Sequence, residues 1–291
     1  MTKSVLGIIG GSGIYELPGL TNVREQRIVS PWGEPSGPLR IGELAGQPVV
    51  FLARHGQGHR LSPSDINYRA NIDTLKRAGV TDLVSLSACG SFKEELPPGT
   101  FVLVDQFVDR TYRREGSFFG KGLVAHVSMA HPVSPLLRAR LRSAAVAEGI
   151  ALHWDGTYIC IEGPQFSSYA ESVTYKQLGH SVIGMTNMPE AKLAREAEIC
   201  YATVAMVTDF DCWHPEHDAV TVRDVLKVLL ENAETAKRLV ARLARDFSRE
   251  HESCPIGSDR ALDSALITAP EARDPELVKK LDAVAGRVLG R

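Results

Sequence analysis

The sequence predicts an α/β fold built on a largely parallel sheet, and three observations carry that prediction. Ala202–Trp213 (ATVAMVTDFDCW) is an apolar run that breaks into two acids, Asp209 and Asp211, the pattern of a strand buried on both faces with polar residues at its carboxyl end. Val5–Ile9, Gln47–Leu52 and Asp82–Ala88 are further apolar runs, each followed by a polar loop rich in glycine. Between the last two, Asn67–Ala78 has Tyr68, Ile72 and Leu75 at helical spacing and stops at Gly79, so the segment reads as strand, helix, strand. Ligands of such sheets bind at the carboxyl ends of the strands.

Taken in order, the first strand opens into Gly10-Gly11-Ser12-Gly13, whose free N–H groups and Ser12 hydroxyl suit an anion or a ribose. The loop fails the specific motifs. A dinucleotide fingerprint would need glycine where Glu16 stands, a P-loop would need a Gly-Lys-Ser/Thr, and a nucleophile elbow would need glycine in place of Ile14. A plain tight turn would use the same glycines. Pro31–Pro38 is a turn-rich surface excursion. The loop after Leu52, Ala53–Arg60, holds two arginines and two histidines among glycines; Arg54 offers a planar fork suited to phosphate, and His55 a further donor.

The third strand is expected to break at Cys89-Gly90-Ser91, leaving the Ser87 hydroxyl and the backbone of Ala88 at the same edge. Phe101–Val104 is another strand, and Asp109–Gly122, mixing arginines and aromatics without a period, reads as a long loop or flap. His126 lies in the apolar stretch Leu123–Met129, where a lone histidine is ordinarily a core residue, and Pro135–Glu148 is a basic amphipathic helix. Thr157–Glu162 is a strand; Ser167 or Ser168 caps the helix that follows to Leu178, with Glu171 completing a capping box. Phe166, at that loop's tip, suits either core packing or stacking on a flat ligand. Ser181–Gly184 is a short strand, turned by Met185–Glu190 into the helix Glu190–Glu198 with Pro189 at its first position. Thr221 caps the longest helical pattern, Val222–Phe247, whose face carries Val222, Val225, Leu226 and Leu229. Beyond Cys254 the pattern loosens, with one last helix expected over Asp274–Leu289.

Composition excludes several function classes. A net charge of −2 offers no field for nucleic acid or an anionic membrane. Val5–Ile9 is too short for a signal-peptide core or a membrane span, which makes the cytoplasm the default location. Five cysteines without a paired spacing suit buried reduced thiols, and His214-x-x-His217 after Cys212 is too tight to close a tetrahedral site, so no metal is expected. No repeat or linker divides residues 1–291, which read as a single domain.

The acids are the sharpest feature. If the strand ran on through Asp211, its period would put Asp209 and Asp211 on one side, and mutual repulsion would leave one of them protonated and able to donate. Spacing alone equally allows a pair that caps the next loop.

The motifs GGSGIYELPGL, ARHG, NYRANIDTLK, SACGSF, IEGPQFSSYAES, GMTNMPEAKLAREAEICYA and TDFDCW, collinear from Gly7 to about Phe247, together resemble the trimeric purine nucleoside and methylthioadenosine phosphorylase family. The resemblance implies a central mixed sheet, a homotrimer with sites near subunit boundaries, and phosphorolysis of an N-glycosidic bond without metal or cofactor, inorganic phosphate being a co-substrate. On matching positions it implies that Ser12, Arg54, His55, Ser87, the Ala88 backbone and Thr186 hold phosphate, and that Phe166 and Met185 wall the ribose and base. Asp209 and Asp211 would read the purine. His126 from a neighbouring subunit, with Val222, Val225 and Leu226, would surround an alkylthio group. An aspartate at 209, where 6-oxopurine enzymes typically carry asparagine, favours a 6-aminopurine and hence S-methyl-5'-thioadenosine, cleaved to adenine and 5-methylthioribose 1-phosphate. The alternatives are a 6-oxopurine or methylthioinosine phosphorylase, a nucleosidase that uses water, and a non-catalytic nucleoside-binding protein. Ser12, Ser87, Gly184 and Asn187 depart from residues found in other members, which bears on selectivity rather than on the reaction.

Overall fold

The structure, a computed structural model, describes residues 3–14, 17–215 and 222–290, the side chains of 222–225 excepted. Its strands are β1 (Leu6–Gly10), β2 (Thr21–Gln26), β3 (Leu39–Leu44), β4 (Gln47–Ala53), β5 (Asp82–Ser91), β6 (Phe101–Leu103), β7 (Gln106–Arg110), β8 (Leu152–Trp154), β9 (Thr157–Ile161), β10 (Val182–Gly184) and β11 (Cys200–Asp209). The helices are α1 (Tyr68–Arg77), α2 (Pro135–Ala147), α3 (Tyr169–Gln177), α4 (Asn187–Glu196), α5 (Val222–Asp246), α6 (Pro275–Lys280) and α7 (Asp282–Leu289).

All the strands join one mixed sheet, in the order β2-β3-β4-β1-β5-β10-β9-β7, with β11 on β5 and carrying β6 and then β8. The central strands β4, β1, β5 and β11 are mutually parallel, as expected, and β1 lies between β4 and β5. Their side chains alternate between two cores. Ile9, Val50, Leu52, Tyr201 and Val207 pack under α1, α4 and α7, whereas Ile8, Phe51, Val204 and Met206 pack under α2 and α5. Each such side chain, fully withdrawn from water, stabilises the fold by about 1.5–3 kcal/mol before entropy is charged against it. Helix α5 buries Leu229, Ala233, Ala236, Val240 and Leu243, a stripe three or four residues apart that docks it on the sheet.

Four readings are corrected. β5 does not break at Cys89-Gly90; it runs on to Ser91 because Gly90 and Ser91 pair antiparallel with Ile183 and Val182 of β10, so the carboxyl end of β10 runs back along β5 toward Cys89. Asp109 and Arg110 end β7, and residues 111–122 are the long loop expected but not a flap: Phe118 and Phe119 are buried, and Phe118 N–H donates to Glu196 (2.7 Å). The last helix is two, broken at Leu281, with Asp274 capping the first. β2 and β3 form an antiparallel edge that was not expected, since all six residues of β2 are exposed and carry no buried alternation. Among the described residues no helix is long and apolar enough to cross a membrane.

Candidate active site

A cavity of about 810 Å³ opens where β1, β4, β5, β10 and β11 end, with Ser12, Arg54, His55, Ser87, Ala88, Phe166, Met185, Thr186, Asp209, Asp211 and Leu226 all lining it. Residues spread over two hundred positions thus converge on one hollow. His126 does not: it is exposed, its N–H bound to Ala265 O (2.9 Å), away from this chain's own cavity. The side chains of Val222 and Val225 lie outside the described residues, as do Glu16, His217 and Thr221.

Close backbone approach shapes the β1 loop. A Cβ on Gly11 would sit 2.5 Å from Leu86 O, so only glycine lets the loop lie against β5 and keep Ser12 at the cavity. Behind it Arg54 is buried, and its fork is largely spent inside the protein. Nε and Nη2 donate to the two oxygens of Glu190 (2.7 and 3.0 Å), Nη2 also to Ser85 Oγ (2.5 Å), and Nη1 to Leu86 O (3.0 Å). Of the five guanidinium N–H groups, one on Nη1 is left without a partner among the described residues and is available to a ligand. Glu190 also accepts from Tyr201 (2.9 Å), and Asn187 donates to Ser85, Tyr201 and Thr203, so a connected polar network fixes the arginine.

His55 is not the donor expected from the sequence. Its Nδ1 lies 2.9 Å from Leu61 O, and a carbonyl can only accept, so the proton sits on Nδ1 and Nε2 is bare. Burial, followed by the Arg54 charge, pushes its pKa down to about 3, so the ring is neutral and Nε2 accepts, for instance from a P–OH. His59 stacks on it with centroids 4.0 Å apart. The Ser87 hydroxyl meets Tyr158 Oη (3.1 Å), and Thr186, at the start of α4, spends no side-chain bond on capping that helix.

The carboxylates differ from the expected side-by-side pair. β11 ends at Asp209 after a bulge, and Asp211 adopts a left-handed backbone (φ 52°) held by its own N–H donating to Asp209 Oδ1 (2.8 Å). Burial, more than repulsion from Asp211, raises the Asp209 pKa. Thr208 Oγ1 lies 2.6 Å from Asp209 Oδ2 and 3.1 Å from Cys89 O. A hydroxyl has one proton, so when it serves the carbonyl the shorter contact is made by a proton on Asp209. Asp211, its pKa also raised by burial, faces Ser167 and Ser172 at the start of α3, and its Oδ2 has no hydrogen-bond partner among the described residues. Gly90 makes room for this arrangement, since a Cβ there would lie 2.8 Å from Asp209 Oδ1.

Sequence reading missed several contributors. Arg114, set in the supposed flap, is buried and donates to Met185 O (2.7 Å), Met188 O (2.6 Å) and Glu162 O (2.7 Å), fixing the strand end that carries Met185. Tyr158, Glu190 and the cavity-lining Leu61–Pro63 were also passed over. Nothing local marks them; an arginine in an aromatic run without a period was the one available signal. The cavity is thus lined by hydroxyls and an arginine, by the apolar side chains of Phe166, Met185 and Leu226, and by the buried acid Asp209.

Known proteins share this architecture. The model of the phosphorylase superfamily matches residues 5–245. S-methyl-5'-thioadenosine phosphorylases of Bradyrhizobium diazoefficiens and Cereibacter sphaeroides are 80% and 59% identical to the chain, each alignment covering 99% of both proteins. A crystal structure of methylthioadenosine phosphorylase from an antarctic soil metagenomic library superposes with a TM-score of 0.91 at 48% identity, covering 98% of this chain and 99% of that one. The Schistosoma mansoni enzyme in complex with adenine gives 0.81 at 36% identity, over 83% of this chain and 91% of its own. The chain belongs to the phosphorylase superfamily and, within it, to the S-methyl-5'-thioadenosine phosphorylase family.

Proposed function

We propose that this protein catalyses phosphorolysis of S-methyl-5'-thioadenosine to adenine and 5-methylthioribose 1-phosphate. The observation that carries the reading is the buried Asp209, its pKa raised by burial, lining one cavity with Ser12, Arg54, His55, Ser87 and Thr186. These last groups, with the Ala88 backbone, bind phosphate. Hydroxyls donate to it, the remaining Arg54 N–H adds charge, and the neutral His55 accepts a hydrogen bond from its P–OH at Nε2. Phe166 and Met185 wall the base and ribose; Leu226 receives the methylthio group. Asp209 gives its proton to purine N7 while the N9–C1' bond breaks, its electron pair leaving with the base. A phosphate oxygen then bonds C1', its charge having stabilised the cationic sugar. Asp211 accepts from the 6-amino group. Every atom is supplied by substrate, phosphate and acid, so the mechanism calls on no cofactor. In a homotrimer the exposed His126 of one subunit would close the methylthio end of the next. A cytoplasmic location goes with this reading.

Methylthioadenosine, adenosine and inosine, each supplied with and without phosphate, test the proposal by their products. Phosphate-dependent adenine release, fastest from methylthioadenosine, is expected. Hypoxanthine as the main product would point to a 6-oxopurine enzyme, phosphate-independent release to hydrolysis, and no release to a binding protein.

A further inference from the structure

The opposite end of β11 carries a second constellation. Cys200, which opens the strand, is buried against Asp82, its register partner on β5. The chain returns there after α5, and residues 251–259 fold over this edge through a turn in which Gly257 N–H donates to Cys254 O (2.8 Å). The outcome is that one sulfur each from Cys200 and Cys254 and a carboxylate oxygen of Asp259 all lie within 4.8 Å of one another.

We propose that Cys200, Cys254 and Asp259 form a structural binding site for a thiophilic divalent cation of the zinc type. Tetrahedral zinc, with bonds of about 2.3 Å to sulfur and about 2.0–2.2 Å to oxygen, sets its ligand atoms just under 4 Å apart, so a closure of about 1 Å completes the site. Two thiolates and a carboxylate are a donor set suited to such an ion, and water supplies the fourth position. The surroundings are built for it. Cys254 Sγ lies 3.3 Å from Ser258 Oγ and 3.7 Å from Ser134 Oγ, and both hydroxyls can donate to a thiolate. Asp259 is held in place: its Oδ1 accepts from Cys254 N–H (3.1 Å), and its Oδ2 lies 3.6 Å from His251 Nε2. The other nitrogen of His251 meets Asp82 (3.1 Å), so outer groups orient the inner ones. Binding exchanges the two thiol protons to solvent for two metal–sulfur bonds, without oxidation or reduction.

The site is separated from Asp209 by the length of β11, about 30 Å at the rise of a strand. Its part is therefore to fasten the segment after α5 to the amino edge of the sheet, without touching the reacting groups.

The test uses the full chain, reduced with a phosphine, loaded with zinc and dialysed, and then separately loaded with cobalt. One zinc per chain is expected to stay bound, with a thiolate-to-cobalt absorption band in the near ultraviolet and a rise in melting temperature of a few degrees. Cys254→Ser and Asp259→Asn should each lose about tenfold or more in metal affinity, and should abolish the metal-induced melting shift. Activity should barely change, which separates this site from binding at the His55–His59 pair. If the reduced, folded chain retains no zinc, or if Cys254→Ser retains the metal and the cobalt band undiminished, the proposal is wrong. Asp259→Asn keeps both cysteines, so the question stands even if a cysteine variant folds poorly.

Discussion

Asp209→Asn isolates the proton from the shape. The amide keeps an oxygen that can accept from Asp211 N–H at 2.8 Å and places an NH2 group where Thr208 Oγ1 stands 2.6 Å away, so both local contacts survive. It adds no atom toward Gly90, where a Cβ would already lie 2.8 Å from Asp209 Oδ1, so the fold should change in stability by less than about 1 kcal/mol. What is lost is the transferable proton. General acid catalysis contributes about 10²–10⁴-fold, which is about 3–5 kcal/mol of barrier. With methylthioadenosine and saturating phosphate, kcat should fall by at least about 10²-fold while the melting temperature holds. The parent enzyme should also lose activity on the alkaline side as Asp209, its pKa raised by burial, gives up its proton. The variant's residual rate should lack that limb. An Asp209→Asn protein that kept full activity on adenine nucleosides would refute the assignment.

Other expectations follow from the same contacts. Arg54→Met leaves Glu190 charged and buried without its partner, which should cost about 3–5 kcal/mol in urea unfolding and weaken phosphate binding; Arg54→Met with Glu190→Gln should recover much of the stability but not the phosphate affinity. Gly90→Ala should reduce kcat by about 10²-fold or less through displacement of Asp209 and Ile183, with a smaller effect on KM. Burial raises the Glu196 pKa from 4.5 to about 7, against its bonds from Phe118 N–H and Ser117. A raised folded-state pKa means that its contribution is full below pH 4.5 and is lost as pH rises through about 7, so Glu196 alone should remove about 3 kcal/mol between pH 4.5 and 8, a slope that Glu196→Gln flattens. His55, pushed to about 3, should show no NMR titration between pH 5 and 8; a midpoint near 6.5 would contradict its neutral, Nδ1-protonated form.

What the sequence disclosed depended on how local the cause was. The buried central strands announced themselves because burial on both faces demands unbroken apolar runs, and the capping box was read with Ser167 or Ser168 opposite Glu171, of which the structure uses Ser168. β2, exposed along its length, left no such trace. Gly90 looked like a strand end, whereas it is a strand residue kept small by Asp209, a constraint from a position more than a hundred residues away. The acid pair was rightly drawn to the cavity but for an incomplete reason: burial raises Asp209, and a left-handed turn, not strand periodicity, brings Asp211 alongside. Arg54 was read as a fork for phosphate, but nothing nearby revealed that Glu190 claims most of it. Cys200, Cys254 and Asp259 share no motif spacing, and only the return of the chain after α5 brings them together.

The most direct test of the account follows the fate of phosphate oxygen. With methylthioadenosine and phosphate labelled with ¹⁸O at every position, the ³¹P resonance of the product should report a sugar 1-phosphate carrying the label between phosphorus and C1', formed in step with adenine. Free 5-methylthioribose, with the labelled phosphate unconsumed, would mean that water attacks C1' and that the cavity's anion end has been misassigned.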